Sequence, residues 1–253
     1  MREAMRPDLI VFEDIEELTT SAARLFAALC AVEVEEKGFF AAVLSGGSTP
    51  KGLLKKLASA RFREKVRWDR VHLFWGDERD VPPDDEESNY GMAARELIAK
   101  VPLPLENLHR MQVELGPIEA ARGYEAEVRA FFSGRRTTPP EFDLVFLGLG
   151  TDGHTLSLFP GTKAVSEDGG ERLVIENYVG SHSCWRVTMT PALVNNAKVC
   201  VFMATGAQKR EAVKEVFERG STALPAGLIR PARGRLLWLV DRGAASGLRQ
   251  FRK

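Results

Sequence analysis

Residues 39–58 read FFAAVLSGGSTPKGLLKKLA. The first six, 39–44, are continuously apolar yet too short for a helix, which is the pattern of a strand buried on both faces of a parallel sheet. SGGSTP interrupts the run, with Thr49 predicted as a helix N-cap and Pro50 fitting the first turn of the helix that KGLLKKLA continues. Upstream, Asp14 and Glu17 make a capping-box-like start to a segment carrying Leu18, Ala22, Leu25, Leu29 and Val32 at helical spacing, and Gly38 ends it. The local order is therefore helix, strand, glycine loop, helix.

The alternation continues outward. Residues 71–75 (VHLFW) and 142–147 (FDLVFL) read as buried strands, and 88–100 and 117–132 as helices, the latter with Pro117 at its start. Residues 186–190 and 199–204 read as strands, 207–219 as a helix stopped by Gly220, and 235–240 as a last strand. Such alternation predicts an α/β fold with a mostly parallel sheet covered on both faces. The breaks at 80–87, 133–140 and 166–170 are loop-length, so one domain over 1–253 is expected.

Composition narrows the function. The chain has 253 residues, 44% hydrophobic and 28% charged, with Lys+Arg and Asp+Glu at 35 each. A net charge of zero leaves no global field for nucleic acid or an anionic membrane, so recognition of a charged ligand must be local. The longest apolar stretch, 25–32, is far shorter than the roughly 20 residues of a membrane span. The N-terminus, MREAMRPDLIVFED, meets Pro7, Asp8, Glu13 and Asp14 before a signal-like apolar region develops, so a cytoplasmic protein is expected. Cys30, Cys184 and Cys200 are odd in number and lack CxxC spacing, which favours reduced structural thiols over disulfides or zinc.

In open α/β sheets, ligands bind beyond the carboxyl ends of the strands, and SGGSTP, GDER and GLGTDGH each follow a strand. In the first, Gly46 and Gly47 let the backbone approach a ligand, while Ser48, Thr49 and the first amides of the helix offer donors to an anion. Taken alone, the loop is read equally well as a plain tight turn. Arg79 adds a guanidinium able to clamp a phosphate or polarise a carbonyl. The acidic run beyond it (Asp80, Asp84, Asp85, Glu86, Glu87) is irregular, lacks histidine and reads as a solvated loop rather than a metal site.

GLGTDG (148–153) satisfies GxGxxG, but Pro160 and Gly161 cut the segment too early for a dinucleotide-binding helix. What remains is Asp152 and His154 on a glycine-framed loop, an imidazole suited to proton transfer with a carboxylate to orient it and favour its protonated form. His72 in a buried strand and His109 in a proline-rich connection read as structural, and His182 as an undecided loop residue. Lys209 and Arg210 open the helix after 199–204, where one cation can reach the same edge or simply face solvent. HExxH, GxSxG and GxxxxGK[ST] are all absent.

Together LSGGSTP, FWGDER, SNYGMA and LGLGTDGHTLSLFPG resemble, in order and spacing, the 6-phosphogluconolactonases, over roughly residues 9–240. The resemblance implies a Rossmann-like three-layer fold, shared with glucosamine-6-phosphate deaminase and ribose-5-phosphate isomerase. It also implies hydrolysis of 6-phospho-D-glucono-1,5-lactone to 6-phosphogluconate, the second step of the oxidative pentose phosphate pathway, without metal or cofactor. Carried over by motif position, His154 is the base that activates water and Asp152 its neighbour. Gly46, Gly47, Ser48 and Thr49 fall in the substrate loop, and Arg79 and Lys209 supply cations for phosphate or oxyanion. Arg186 matches a family position with no role assigned. The expected partner is the small phosphosugar lactone, bound by a monomer or small homo-oligomer. The rivals are a deaminase on the same fold and a silent sugar-phosphate sensor. In the amino-sugar deaminases the DGH motif leads to Asn-Glu-Pro, whose carboxylate moves protons; here Phe159 stands five beyond the histidine and carries none.

Overall fold

The computed structural model describes residues 7–135, 137–166 and 172–251; the first six residues and most of the predicted 166–170 break lie outside these. The described strands are β1 (Asp8–Phe12), β2 (Phe40–Leu44), β3 (Val71–Trp75), β4 (Asp77–Arg79), β5 (Leu108–His109), β6 (Leu144–Leu147), β7 (Val174–Val179), β8 (Cys184–Met189), β9 (Val199–Ala204) and β10 (Arg235–Asp241). Seven form one sheet in the order β1-β10-β9-β6-β2-β3-β5, with every neighbouring pair parallel.

The unbroken apolar run of β2 has a direct explanation. Phe40, Ala42 and Leu44 pack on one face against Phe26 of helix α1 (Ile15–Lys37) and Leu53 of helix α2 (Ser48–Ala58). Ala41 and Val43 pack on the other against Tyr124 and Phe131 of the helix Pro117–Ser133. Both faces are covered, so no position alternates to polar. The ends of α1 form as predicted: Asp14 accepts the Glu17 N–H at 2.9 Å, and Gly38, at φ 85°, donates to the Val34 carbonyl.

From β2 the chain proceeds to β3 and β5 on one side, while β6 leads to β9 and β10 on the other. The strand order therefore reverses between β2 and β6, and a crevice opens beyond their carboxyl ends. SGGSTP follows β2 and GLGTDGH follows β6, so topology brings the two glycine loops to one place.

Several expectations need correction. Residues 186–190 do not extend the parallel sheet; β8 pairs antiparallel with β4 and β7 in a separate three-stranded sheet. GDER is not merely the end of a strand, because the chain turns at Gly76 and Asp77–Arg79 is itself the edge strand β4. A Cβ at Gly76 would lie 2.5 Å from Leu156 Cδ2, which is why the crossing needs glycine. The cap of α2 is Gly47, not Thr49, and it offers no side chain to the helix amides. The 88–100 helix stops at Glu96 and gives way to a 3₁₀ turn, and 207–219 divides into a 3₁₀ turn, one α turn and a π turn. Strands β1 and β7 were not foreseen, and His109 lies in β5 rather than in a connection.

The structural reading of two histidines holds. His72 Nδ1 lies 3.1 Å from His109 Nε2, and His109 Nδ1 lies 2.7 Å from Glu127, with Phe74 stacked on the His109 ring. Burial, aided by the charges of His109 and Arg135, pushes His72 down to about 4. Burial likewise pushes the Cys30 thiol up to about 11 and that of Cys200 to about 12, so both are inert. Among the described residues no helix is long and apolar enough to cross a membrane.

Candidate active site

A cleft of about 230 Å³ occupies the switch point, walled by SGGSTP, Asp77 and Arg79 of β4, the 148–156 loop, Arg186 of β8 and the Thr205–Lys209 turn. Gly46, Gly47, Ser48, Thr49, Arg79, His154, Arg186 and Lys209 line it, and Asp152 is tied to the lining His154; of the two cations that open the helix after β9, Arg210 does not line it and pairs with Glu211. Gly46 is required for the walls to close, since a Cβ there would fall 1.9 Å from Asn89 Oδ1. Gly47 sits at φ 103° and starts α2 without a side-chain cap or an acidic residue in the first turn, leaving its amides and dipole for an anion. Thr49 does not cap the helix; its hydroxyl meets that of Thr205 at 2.8 Å and ties this loop to the one after β9.

His154 is held at its edge. Its Nδ1 lies 2.6 Å from Asp152 Oδ1, which also accepts the His154 backbone N–H at 3.1 Å. A carboxylate makes Nδ1 the protonated nitrogen and leaves the Nε2 lone pair for a proton in the cleft. Sequence alone pointed to Asp152 favouring the imidazolium. Instead, burial is the largest influence and holds His154 below the ordinary imidazole range, although Asp152 and Asp77 oppose it. Burial works to raise Asp152, but the bonds from His154 prevail and keep its carboxyl below the usual range. The loop is over-determined elsewhere: Leu156 takes φ 52°, a costly setting for leucine, fixed by Thr155 Oγ1 on the Gly148 carbonyl at 2.8 Å and Ser157 Oγ on Asp77 at 2.7 Å.

Gly150 flanks this pair so closely that a Cβ would lie 2.1 Å from His154 Nδ1 and 2.4 Å from Asp152 Oδ1. Gly150→Ala is expected to force the imidazole out of line and lower kcat about 100-fold while the thermal midpoint changes by only a few degrees. Steady-state rates beside a melting curve check this, and wild-type kcat in the variant would refute it.

The cations are arranged by register. Arg79 of β4 lies directly opposite Arg186 of β8. Like charges in that position repel. Arg186 is 7% exposed and contacts the Cys184 sulfur at 3.3 Å; Arg79 bonds the Glu87 carbonyl, and its Nε is buried without an acceptor. Among the described residues no carboxylate pairs with Arg79, Arg186 or Lys209. Burial pushes the Lys209 ammonium below its ordinary range, while the Asp152 charge works against this. Its turn is pinned by Asp241, which accepts the Gly206 N–H at 2.9 Å. Three unpaired cations and the bare amides of α2 around one cleft are a receptor for an anionic ligand.

Sequence reasoning missed three residues here. Asn89, within the quoted SNYGMA, donates to the Asp77 carbonyl at 2.9 Å and abuts Gly46. Glu78 is buried and accepts from Ser88, Asn89, Tyr90 and Arg79, so it holds the start of the helix Asn89–Glu96 against β4; burial raises its carboxyl above the usual range despite those bonds. Asp77 is buried yet lines the cleft. A signal existed, in that GDER places two carboxylates before an arginine, but nothing local shows which one turns inward. Among the described residues, no group of three His, Cys, Asp or Glu side chains converges as cation ligands.

The three-layer sheet with its switch-point cleft defines an α/β architecture that recurs among phosphosugar enzymes. The 6-phosphogluconolactonase of Trypanosoma brucei superposes with a TM-score of 0.84 at 28% identity, over 96% of this chain and 99% of its own. A monomeric glucosamine-6-phosphate deaminase superposes at 0.77 with 22% identity and shares the fold. The sequence pattern of the glucosamine-6-phosphate isomerases/6-phosphogluconolactonase family matches residues 13–238. A 6-phosphogluconolactonase of Synechocystis sp. is 40% identical over 220 residues, 85% of this chain and 88% of its own. One of Nostoc sp. is 36% identical over 248 residues, 96% and 99% of the two chains. This chain belongs to that family.

Proposed function

We propose that the protein hydrolyses 6-phospho-D-glucono-1,5-lactone to 6-phospho-D-gluconate, as a single catalytic unit acting in the oxidative pentose phosphate pathway. The observation that carries the reading is an imidazole with its Nδ1 locked on Asp152 and its Nε2 free, in the same cleft as three unpaired cations. The identities to lactonases over most of the chain support it.

A water held by His154 Nε2 attacks the lactone C1 and yields its proton to the imidazole. Arg79, Arg186, Lys209 and the first amides of α2 supply donors for the phosphate and for the oxyanion that develops at C1. When the tetrahedral adduct collapses, the bond from C1 to the ring oxygen breaks, and the imidazolium returns its proton to that oxygen. The carboxylic acid formed releases its own proton to water. A δ-lactone is an activated ester, so one base of tuned basicity and preorganised donors suffice. The phosphate is a remote handle whose binding energy orients the ring. We place the reaction in the cytoplasm, where free thiols such as these three are ordinary.

The deaminase reading meets an obstacle at Phe159, whose ring stacks on His154 where that chemistry needs a proton carrier. The test supplies freshly generated lactone, follows 6-phosphogluconate with a coupled dehydrogenase and subtracts spontaneous hydrolysis. The same preparation is given glucosamine 6-phosphate and assayed for ammonia. Rapid lactone hydrolysis without ammonia is expected; ammonia above background, or no lactonase rate, overturns the proposal.

A further inference from the structure

Asp152 and Gly150 control the edge of the His154 ring, but its face is covered by Phe159, with ring centroids 4.1 Å apart and planes at 25°. Phe159 is nearly buried and carries no proton, so it has no direct part in the chemistry. Its seat is built with unusual care. The Phe159 carbonyl accepts Thr162 Oγ1 at 2.8 Å; Thr162 Oγ1 accepts Asn177 Nδ2 at 3.0 Å, and the same amide reaches the Ser157 carbonyl at 2.8 Å. Asn177 is fully buried on β7, opposite Arg186 on β8, which is opposite Arg79 on β4. One row of the small sheet thus carries both the cation pair and the buttress of the ring that covers the base. The Arg186 guanidinium lies 5.9 Å from the Phe159 centroid, and His182 5.1 Å from it.

Resting on the reading of His154 as the base, we propose that Phe159, seated by the Thr162–Asn177 buttress, is a positioning residue that fixes the plane of the His154 imidazole and keeps water from its covered face. A flat ring parallel to the imidazole leaves it little freedom to turn about its bond to Asp152, so Nε2 stays aimed into the cleft. Exclusion of water from that face favours the neutral, proton-accepting form. The charged groups that bear on His154 are Asp152 on its own loop, Asp77 on β4 and Lys209 after β9, with Arg186 and the titratable His182 ring beyond Phe159. The two carboxylates favour the imidazolium, so the covering ring counts against them. Leucine at 159 retains apolar bulk without a flat face, whereas tyrosine retains the face.

The experiment titrates the His154 ring by NMR in wild type, Phe159→Leu, Phe159→Tyr and Thr162→Val, beside pH profiles of lactone hydrolysis. In Phe159→Leu the titration midpoint and the acid limb of kcat/KM should both move up toward the ordinary imidazole value, with kcat down about 10-fold and KM within about twofold. Phe159→Tyr should stay near wild type. Thr162→Val, which keeps the ring and removes the two bonds that Thr162 Oγ1 makes in its seat, should shift the midpoint in the same direction by less, and it carries the test if Phe159→Leu does not fold. An unmoved midpoint in folded Phe159→Leu, or in Thr162→Val where Phe159→Leu does not fold, overturns the proposal, as does a Phe159→Tyr midpoint displaced as far as that of leucine. If wild type fails to hydrolyse the lactone, the proposed function falls, while the NMR midpoint still decides whether Phe159 controls the ring.

Discussion

Replacing His154 by asparagine is expected to lower kcat by about 10²- to 10⁴-fold while leaving KM nearly unchanged. Asparagine has similar reach and can still donate to Asp152, so the loop and the ligand contacts survive. What disappears is a nitrogen able to take a proton from water and return it to the ring oxygen. Only the neutral imidazole is a base, so wild-type kcat/KM should be full above the folded-state pKa and fall as pH drops through it. Because burial lowers that pKa, the fall should come on the acid side of the roughly 6.5 of a free imidazole. The residual rate of His154→Asn should lack this limb. A variant with wild-type kcat, or one with the same acid limb, would assign the base to another group.

Arg186→Met should reduce kcat/KM for the phosphorylated lactone about 10- to 100-fold, the range for losing one charge-assisted bond to an anion. Most of the change should be in KM, because a phosphate remote from C1 is bound alike in the ground and transition states. Unphosphorylated gluconolactone should already be a poor substrate and should be affected little, so the preference between the two lactones shrinks. A second consequence follows from the facing arginines. With no anion between them they repel, and Arg186 is buried without a carboxylate, so the ligand-free variant should melt at or above the wild-type temperature. Added inorganic phosphate should raise the wild-type midpoint more than that of the variant. Equal loss on both lactones, or equal stabilisation by phosphate, would remove Arg186 from the anion site.

Some of this was legible in one dimension. The apolar run 39–44 reads as a strand covered on both faces, and a chain of such runs separated by amphipathic helices predicts the parallel sheet that β2, β3, β6, β9 and β10 form, though not the antiparallel pairing of β8. Glycine loops at the carboxyl ends of strands marked the edge where the cleft opens, and a histidine framed by glycines and an aspartate marked the proposed base. Weak alternation hid β1 and β7. At β5 the strand is two residues long, too short for any period to register.

The sequence by itself determined that β2, β3 and β6 are buried strands, the position of the glycine loops along the chain and the chemistry available at His154, Asp152, Arg79 and Lys209, because periodicity and residue type are local properties. Only the tertiary structure decided which strands are neighbours, that β4, β7 and β8 leave the main sheet, and that Arg79 faces Arg186. It also turned Asp77 into the cleft to meet Ser157, 80 positions away, and laid Phe159 on His154. The physical reason is that pairing and register are fixed by long-range packing, where two side chains meet because separate elements share a core. The net effect of burial on the imidazole was unreadable for the same cause: desolvation depends on everything that surrounds a group, and the nearest carboxylate in sequence is only one part of that surrounding.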